Sequence, residues 1–213
     1  MRTVPADGAA DGARAGQPME LLLARHGQTD LNVDERWQGR LDLPLNATGR
    51  AQADALAAAL PPGIEVIVAS PQLRARQTAE VVAAARGLEI EFDALFRERD
   101  FGAFEGLTSE EARVQHPALW AANAAYRWDL QPLGAESTQE VVDRVAVGLQ
   151  ALKSRHAGRC VLLVSHGFVV RCLRYLIDRL PPQDFFAAER IPNGGFIRRS
   201  LPAGGTTHAS PGS

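Results

Sequence analysis

Residues 19–27 read MELLLARHG, an apolar run that stops on an arginine, a histidine and a glycine. A short apolar run bounded by polar residues reads as a buried strand. One that ends on such a cluster delivers reactive side chains to the end of a sheet. Residues 160–167, CVLLVSHG, repeat the arrangement, with the strand over Cys160–Ser165 and a second His-Gly pair at His166-Gly167. Between them Ile64–Ala69 (IEVIVA) is rich in β-branched residues and reads as another strand. It ends at Ser70-Pro71, with Arg74 one turn into the adjoining helix.

Helical stretches fill the gaps. Ala47–Leu60 is Ala-rich and is stopped by Pro61-Pro62. Ser70-Pro71 predicts a helix start, serine at the N-cap and proline in the first turn, where its missing N–H costs nothing. That helix runs to about Arg86, with Gly87 as its C-terminal stop. The segments TSEE (108–111) and STQE (137–140) both fit the capping box, opening a short helix before Pro117 and a long one reaching about His156. Another helix spans Gly167 to about Arg179, and Phe196–Leu201 adds an edge strand. Strands alternating with helices imply a layered α/β fold with a largely parallel sheet. In such sheets, sites form beyond the carboxyl ends of the strands.

Composition bounds the alternatives. The 213 residues carry 46% hydrophobic side chains, enough for one buried core, and 23 Lys plus Arg against 25 Asp plus Glu leave a net charge of −2. Nothing global therefore suggests a nucleic-acid partner, and no apolar run approaches the about 18 residues of a membrane span. The first eighteen residues lack the apolar stretch of a secretory signal. Cys160 and Cys172 make neither a disulfide framework nor a metal cluster and read as small core residues of a reducing, cytoplasmic compartment. Residues 1–18, made largely of Ala, Gly, Asp and Arg with scattered Pro, and 202–213 (PAGGTTHASPGS) are expected as disordered tails around one domain over 19–201.

Two histidines and two arginines at converging strand ends suit a phosphate pocket. Neutral imidazole at His26 is a nucleophile toward phosphorus that needs no metal. Arg25 and Arg74 match phosphate geometry and keep their charge in a transition state rich in equatorial oxygens, and His166 adds hydrogen bonds to the same oxygens. A leaving alkoxide needs a proton. Glu98 is the candidate acid, although composition does not choose it over Asp100 or Glu105. A metal site is the chemical rival for two histidines and a carboxylate. Nothing resembles HExxH or another compact ligand spacing, and the adjacent arginines would repel a cation.

These residues carry a resemblance. LLLARHGQTDLN (21–32) is similar to the signature of the histidine phosphatase superfamily, the phosphoglycerate-mutase-like proteins. The likeness continues in Trp37-Gln38-Gly39, LDLPLNATGRAQA (41–53), SPQLRARQTAE (70–80), ERDFGAFEG (98–106), GAES (134–137) and VSHG (164–167), in order across about residues 19–200. The resemblance implies a three-layer α/β/α sandwich with a largely parallel central sheet. It implies that His26 is phosphorylated and that Arg25, Arg74 and His166 complete the phosphate pocket. Glu98, four residues before Gly102, matches the family's proton donor. Asn32 resembles a phosphate-contacting side chain, and Gln38, Gly39 and Gly167 fall at substrate-binding positions. No cofactor is implied.

Within the family, phosphoglycerate mutases that depend on a bisphosphate cofactor carry a longer, more basic insertion before the GAES motif. Here 107–133 is short and holds only Arg113 and Arg127 as cations, which favours hydrolysis of small phosphomonoesters over a mutase. Sugar phosphates, phosphoglycerates, a ribazole phosphate and phosphoprotein all stay open as substrates. A non-catalytic phospho-ligand sensor would have lost a reactive group, and none is missing. The expected partner is thus a small phosphorylated substrate, with neither nucleic acid nor membrane. A homodimer is compatible with the sequence, and no feature decides it. Phe168 stands where the family usually has a small residue, either walling the pocket or packing inward. Trp120, Tyr126 and Trp128 are either core residues or a cover over the site.

Overall fold

The computed structural model describes residues 17–123, 134–187 and 189–202. Five strands form one sheet in the order β3-β2-β4-β1-β5: β1 (Met19–Arg25), β2 (Val66–Ala69), β3 (Ile90–Phe92), β4 (Cys160–Ser165) and β5 (Phe196–Leu201). The first four in that order are parallel, and β5 runs antiparallel along β1 at the edge.

Alternation along the strands divides the core in two. Leu21, Leu23, Val161 and Leu163 face one side, where they pack with Val141, Val145 and Leu152 of α6 (Thr138–Arg155) and with Val169 and Leu173 of α7 (Gly167–Asp178). Leu22, Ala24, Leu162 and Val164 face the other, against Leu56 of α2 (Ala47–Ala59) and Ala75, Ala79 and Val82 of α3 (Leu73–Arg86). Helices therefore cover both faces. Strands buried on two faces read as continuous apolar runs, which explains why Leu21-Leu22-Leu23 and Val161-Leu162-Leu163-Val164 lack polar alternation. This is the expected three-layer α/β/α sandwich.

The remaining helices are short: α1 (Asp30–Val33), α4 (Ser109–Gln115) and α5 (Pro117–Asn123). Both anticipated capping boxes form, Thr108 with Glu111 at α4 and Ser137 with Glu140 at α6. A third, Thr29 with Asn32, opens α1. Gly87 ends α3 in the left-handed conformation at φ 64°.

One helix start differs from expectation. α3 begins at Leu73, its N-cap is Gln72, and no side chain of the cap bonds the helix. The free first amide is taken instead by Asp42, whose Oδ1 accepts the Leu73 N–H at 2.5 Å from 31 residues away. The Ser70 oxygen accepts the Gln72 N–H at 3.4 Å, outside the helix, and its hydroxyl faces His166. Of the two expected tails, only residues 17, 18 and 202 are described, and Tyr126 and Trp128 lie outside the described residues.

Candidate active site

Strand register builds the site. Arg25 stands opposite Ser165 in the β1–β4 ladder, so the next residue of each chain, His26 and His166, leaves the sheet at the same level. Their rings lie 5.1 Å apart, centroid to centroid. Both are buried, at 3% and 0% exposure. The loop after β1 also packs directly on α2. A side chain at Gly27 would place its Cβ 2.3 Å from the Gly49 carbonyl oxygen. The Gly27 N–H donates to Thr78 Oγ1 at 3.0 Å, tying the same loop to α3.

The ring nitrogens of His26 are not equivalent. Nδ1 lies 2.7 Å from the carbonyl oxygen of Gly27 and so carries the proton, which leaves Nε2 with a free lone pair. Burial, and then the charges of Arg74 and Arg25, hold His26 well below the ordinary imidazole range. His166 is held down likewise, by burial first and then by Arg74 and His26. Its Nε2 sits 2.7 Å from Ser70 Oγ. With that hydroxyl donating, the proton of the ring is on Nδ1.

The arginines are anchored through their terminal nitrogens. Arg25 Nη1 donates to the Ile191 carbonyl at 3.0 Å. Arg74, fully buried, donates to the carbonyls of Leu41 at 2.7 Å and Gly39 at 3.0 Å. Three buried nitrogens are then left without a protein acceptor: Nε of Arg25, Nε of Arg74 and Nδ1 of His166. An unpaired buried donor costs about 1–3 kcal/mol, so three around one histidine call for an anionic oxygen ligand.

Arg25, His26, Arg74 and Glu98 line a single cavity of about 790 Å³ together with Asn32, Gln38, Gly39 and Gly167. Among the three carboxylates the sequence left open, Glu98 lines it. Its Oε1 accepts from the Arg99 N–H at 2.9 Å and its Oε2 from the Phe168 N–H at 3.3 Å. Asp100 caps the turn at Gly102 and Glu105 takes the Arg40 and Phe101 amides, so both hold loops. Burial raises the Glu105 carboxyl. Asn32 spends Oδ1 on its capping box and on Asn193. Gly39 has φ +51°, and a Cβ there would stand 1.8 Å from Glu105 Oε1. Its glycine is required by the backbone conformation. Gln38 keeps Oε1 buried without a partner.

Phe168 satisfies both of its readings: it lines the cavity and packs on Phe185, with centroids 5.6 Å apart. Trp120 packs on Phe104 at 6.2 Å. Sequence reasoning missed Arg99, Arg171, Arg174 and Asn193, all of which line the cavity. The two on α7 were legible in principle. Arg171 and Arg174 follow Gly167 by four and seven residues, the spacing of one helix face. Among the described residues no group of three or more His, Cys, Asp or Glu side chains is placed to hold a metal, and no helix is long and apolar enough to cross a membrane.

The family model "Histidine phosphatase superfamily (branch 1)" matches residues 21–208. Phosphoglycerate mutase-like protein 4 of Arabidopsis thaliana is 36% identical over 158 residues, 72% of this chain and 69% of that protein. A bifunctional protein of Mycobacterium tuberculosis is 40% identical over 167 residues, 76% of this chain, and the chain spans only 44% of its length. The structure of a mycobacterial glucosyl-3-phosphoglycerate phosphatase with VO3 superposes with a TM-score of 0.76 at 33% identity, covering 84% of this chain and 91% of that one.

Proposed function

The chain belongs to the histidine phosphatase superfamily, and from that premise we propose that it is a metal-independent phosphomonoesterase of the cytoplasm that works through a phosphohistidine at His26. The observation that carries this reading is the set of unpaired buried donors on Arg25, Arg74 and His166, three residues close to a histidine whose Nε2 is free.

The ester's phosphoryl oxygens take the three open donor positions, with Asn32, Gly39 and the first turn of α7 at Gly167 beside them. Nε2 of His26 attacks phosphorus in line as the P–O bond to the alcohol breaks. Glu98, held by two backbone amides, gives its proton to the departing alkoxide. The carboxylate then takes a proton from water as that water's oxygen bonds phosphorus and the P–N bond breaks, releasing inorganic phosphate. Arg25 and Arg74 supply fixed positive charge where negative charge develops on the equatorial oxygens. The solved phosphatase relative holds VO3, a phosphate-like oxyanion, in keeping with such a pocket.

A second reading, a cofactor-dependent phosphoglycerate mutase, is favoured by the name of the Arabidopsis relative. One assay separates the two. Phosphate release from a panel of phosphomonoesters is measured with EDTA present, for the wild type and His26→Ala, alongside vanadate inhibition. The expected result is release that survives EDTA, is blocked by vanadate and falls at least about 10³-fold in the variant. Silence on every ester, with interconversion of phosphoglycerates once bisphosphoglycerate is added, would replace the phosphatase by the mutase.

A further inference from the structure

The phosphate pocket accounts for only one end of the cavity. Seven arginines line the whole, against three glutamates, Glu35, Glu98 and Glu189. Beyond Arg25 and Arg74 lies a second cationic group on the helix that opens at Gly167. Arg171 and Arg174 project from α7 into the cavity, and Arg190 joins them from the segment after that helix. At about 1.5 Å of rise per residue, the Cα atoms of Arg171 and Arg174 stand about 6 and 10 Å along the helix axis from Gly167.

Two of these side chains bond to backbone. Arg171 Nη1 donates to the carbonyls of Phe185 and Phe186 at 3.2 and 2.9 Å. Arg174 Nη1 donates to the Glu189 carbonyl at 2.7 Å. That carbonyl fixes the Arg174 guanidinium in place without cancelling its charge. Nε of Arg174 is buried and has no partner, which repeats at this distance what Nε of Arg25 and of Arg74 show in the pocket. Val170 and Phe186 line the cavity as well, the Phe186 ring 5.6 Å from the Arg171 guanidinium, so part of the wall near these cations is apolar.

We propose that this cluster is a second anion subsite, and that the substrates are phosphomonoesters whose organic part ends in a carboxylate or a second phosphate, set off from the reacting phosphate by a spacer of sugar length. The assignment rests on the phosphatase reading. It places the selecting charge on α7 and Arg190, with Arg174 as the specificity-determining residue. Guanidinium pairs readily with either anion, since its fork matches both.

Three synthetic esters of one length test it: hexyl phosphate, 6-(phosphonooxy)hexanoate and hexane-1,6-diol bisphosphate. The wild type is expected to show kcat/KM at least about tenfold higher for the two terminally charged esters, roughly 1.4 kcal/mol. Whichever of them is better distinguishes carboxylate from phosphate. Arg174→Ala should raise KM for both about tenfold while hexyl phosphate stays within twofold and kcat holds. Arg190→Ala, at an exposed position, should act in the same direction more weakly. No preference for terminal charge, or an equal loss on all three esters, would overturn the subsite while leaving hydrolysis intact. A wild type that hydrolyses none of them would instead count against the phosphatase reading. Calorimetric binding of the bisphosphate to His26→Ala, compared with the same protein also carrying Arg174→Ala, then decides the subsite alone: about tenfold weaker binding supports it, and equal binding removes it.

Discussion

Ser70 does not take the capping role that local sequence suggests, and Asp42 takes it instead. Ser-Pro ahead of an apolar helix reads as a cap, yet the Ser70 hydroxyl meets His166 Nε2 at 2.7 Å and a distant aspartate caps the helix. Capping signals are local, whereas this hydroxyl is claimed by a residue 96 positions away, and sequence spacing carries no trace of that distance. The two side chains should therefore fail differently. Ser70→Ala is expected to lower kcat/KM about tenfold, because the His166 ring loses the bond that fixes its tautomer, and to cost about 1–3 kcal/mol of stability, because Nε2 of His166 is left buried without its partner. Asp42→Ala should cost about 1 kcal/mol of stability, the usual worth of a cap, with kcat/KM within twofold. Thermal melts and ester hydrolysis on the two variants check both, and the opposite pattern would return the cap to Ser70.

The long elements are readable from the chain because their own periodicity and punctuation specify them. β1, β4, α2 and α6 fall within about one residue of expectation. β3, three residues with Phe92 half-exposed, escapes a sequence reading because so short a segment has no period to detect and forms by pairing with β2. The GAES segment shows the same limit. As sequence it is a turn and a cap, and in space it staples the loop that carries the acid. Glu136 Oε2 accepts the Asp100 N–H at 2.8 Å, the Glu136 carbonyl accepts Arg99 Nε at 2.9 Å, and its carboxylate pairs with Arg144 at 2.7 Å. Arg144 in turn donates to the carbonyl of Glu98 at 3.2 Å. The Arg144 pair holds the Glu136 carboxyl low against the opposing effect of burial. Glu136→Gln should therefore displace Glu98 without touching the phosphate pocket. An alkyl phosphate, which needs the proton, is expected to lose about tenfold in kcat, and p-nitrophenyl phosphate, with its good leaving group, less than twofold. Equal losses on both would mean that the staple supports the fold and not the acid.

At the scale of the whole molecule, a chain of net charge −2 gathers seven arginines around one cavity. The parallel sheet is what allows this: strand ends that are far apart in sequence open on the same side, and the apolar layers beneath bury the histidines among cations. That concentration has a cost that depends on pH. His26, His166 and the buried His156 are all held below the ordinary imidazole value, each chiefly by burial. At pH well above about 6.5 they are neutral in folded and unfolded chains alike and stability is indifferent to them. Below that value the unfolded chain binds protons that the folded one refuses, so stability falls with pH. The slope for His26 and His166 approaches about 1.4 kcal/mol per pH unit each while they remain neutral in the fold. Denaturant unfolding at pH 7.5, 6.5 and 5.5 should show a loss of about 1 kcal/mol or less over the first step and roughly 2–3 kcal/mol over the second. His166→Asn should flatten the second step by about one histidine's share. Phosphate or vanadate should counter the loss at every pH, since an anion that fills the three open donor positions binds the folded state alone. A flat profile from 6.5 to 5.5 would mean that the site takes up its protons while still folded.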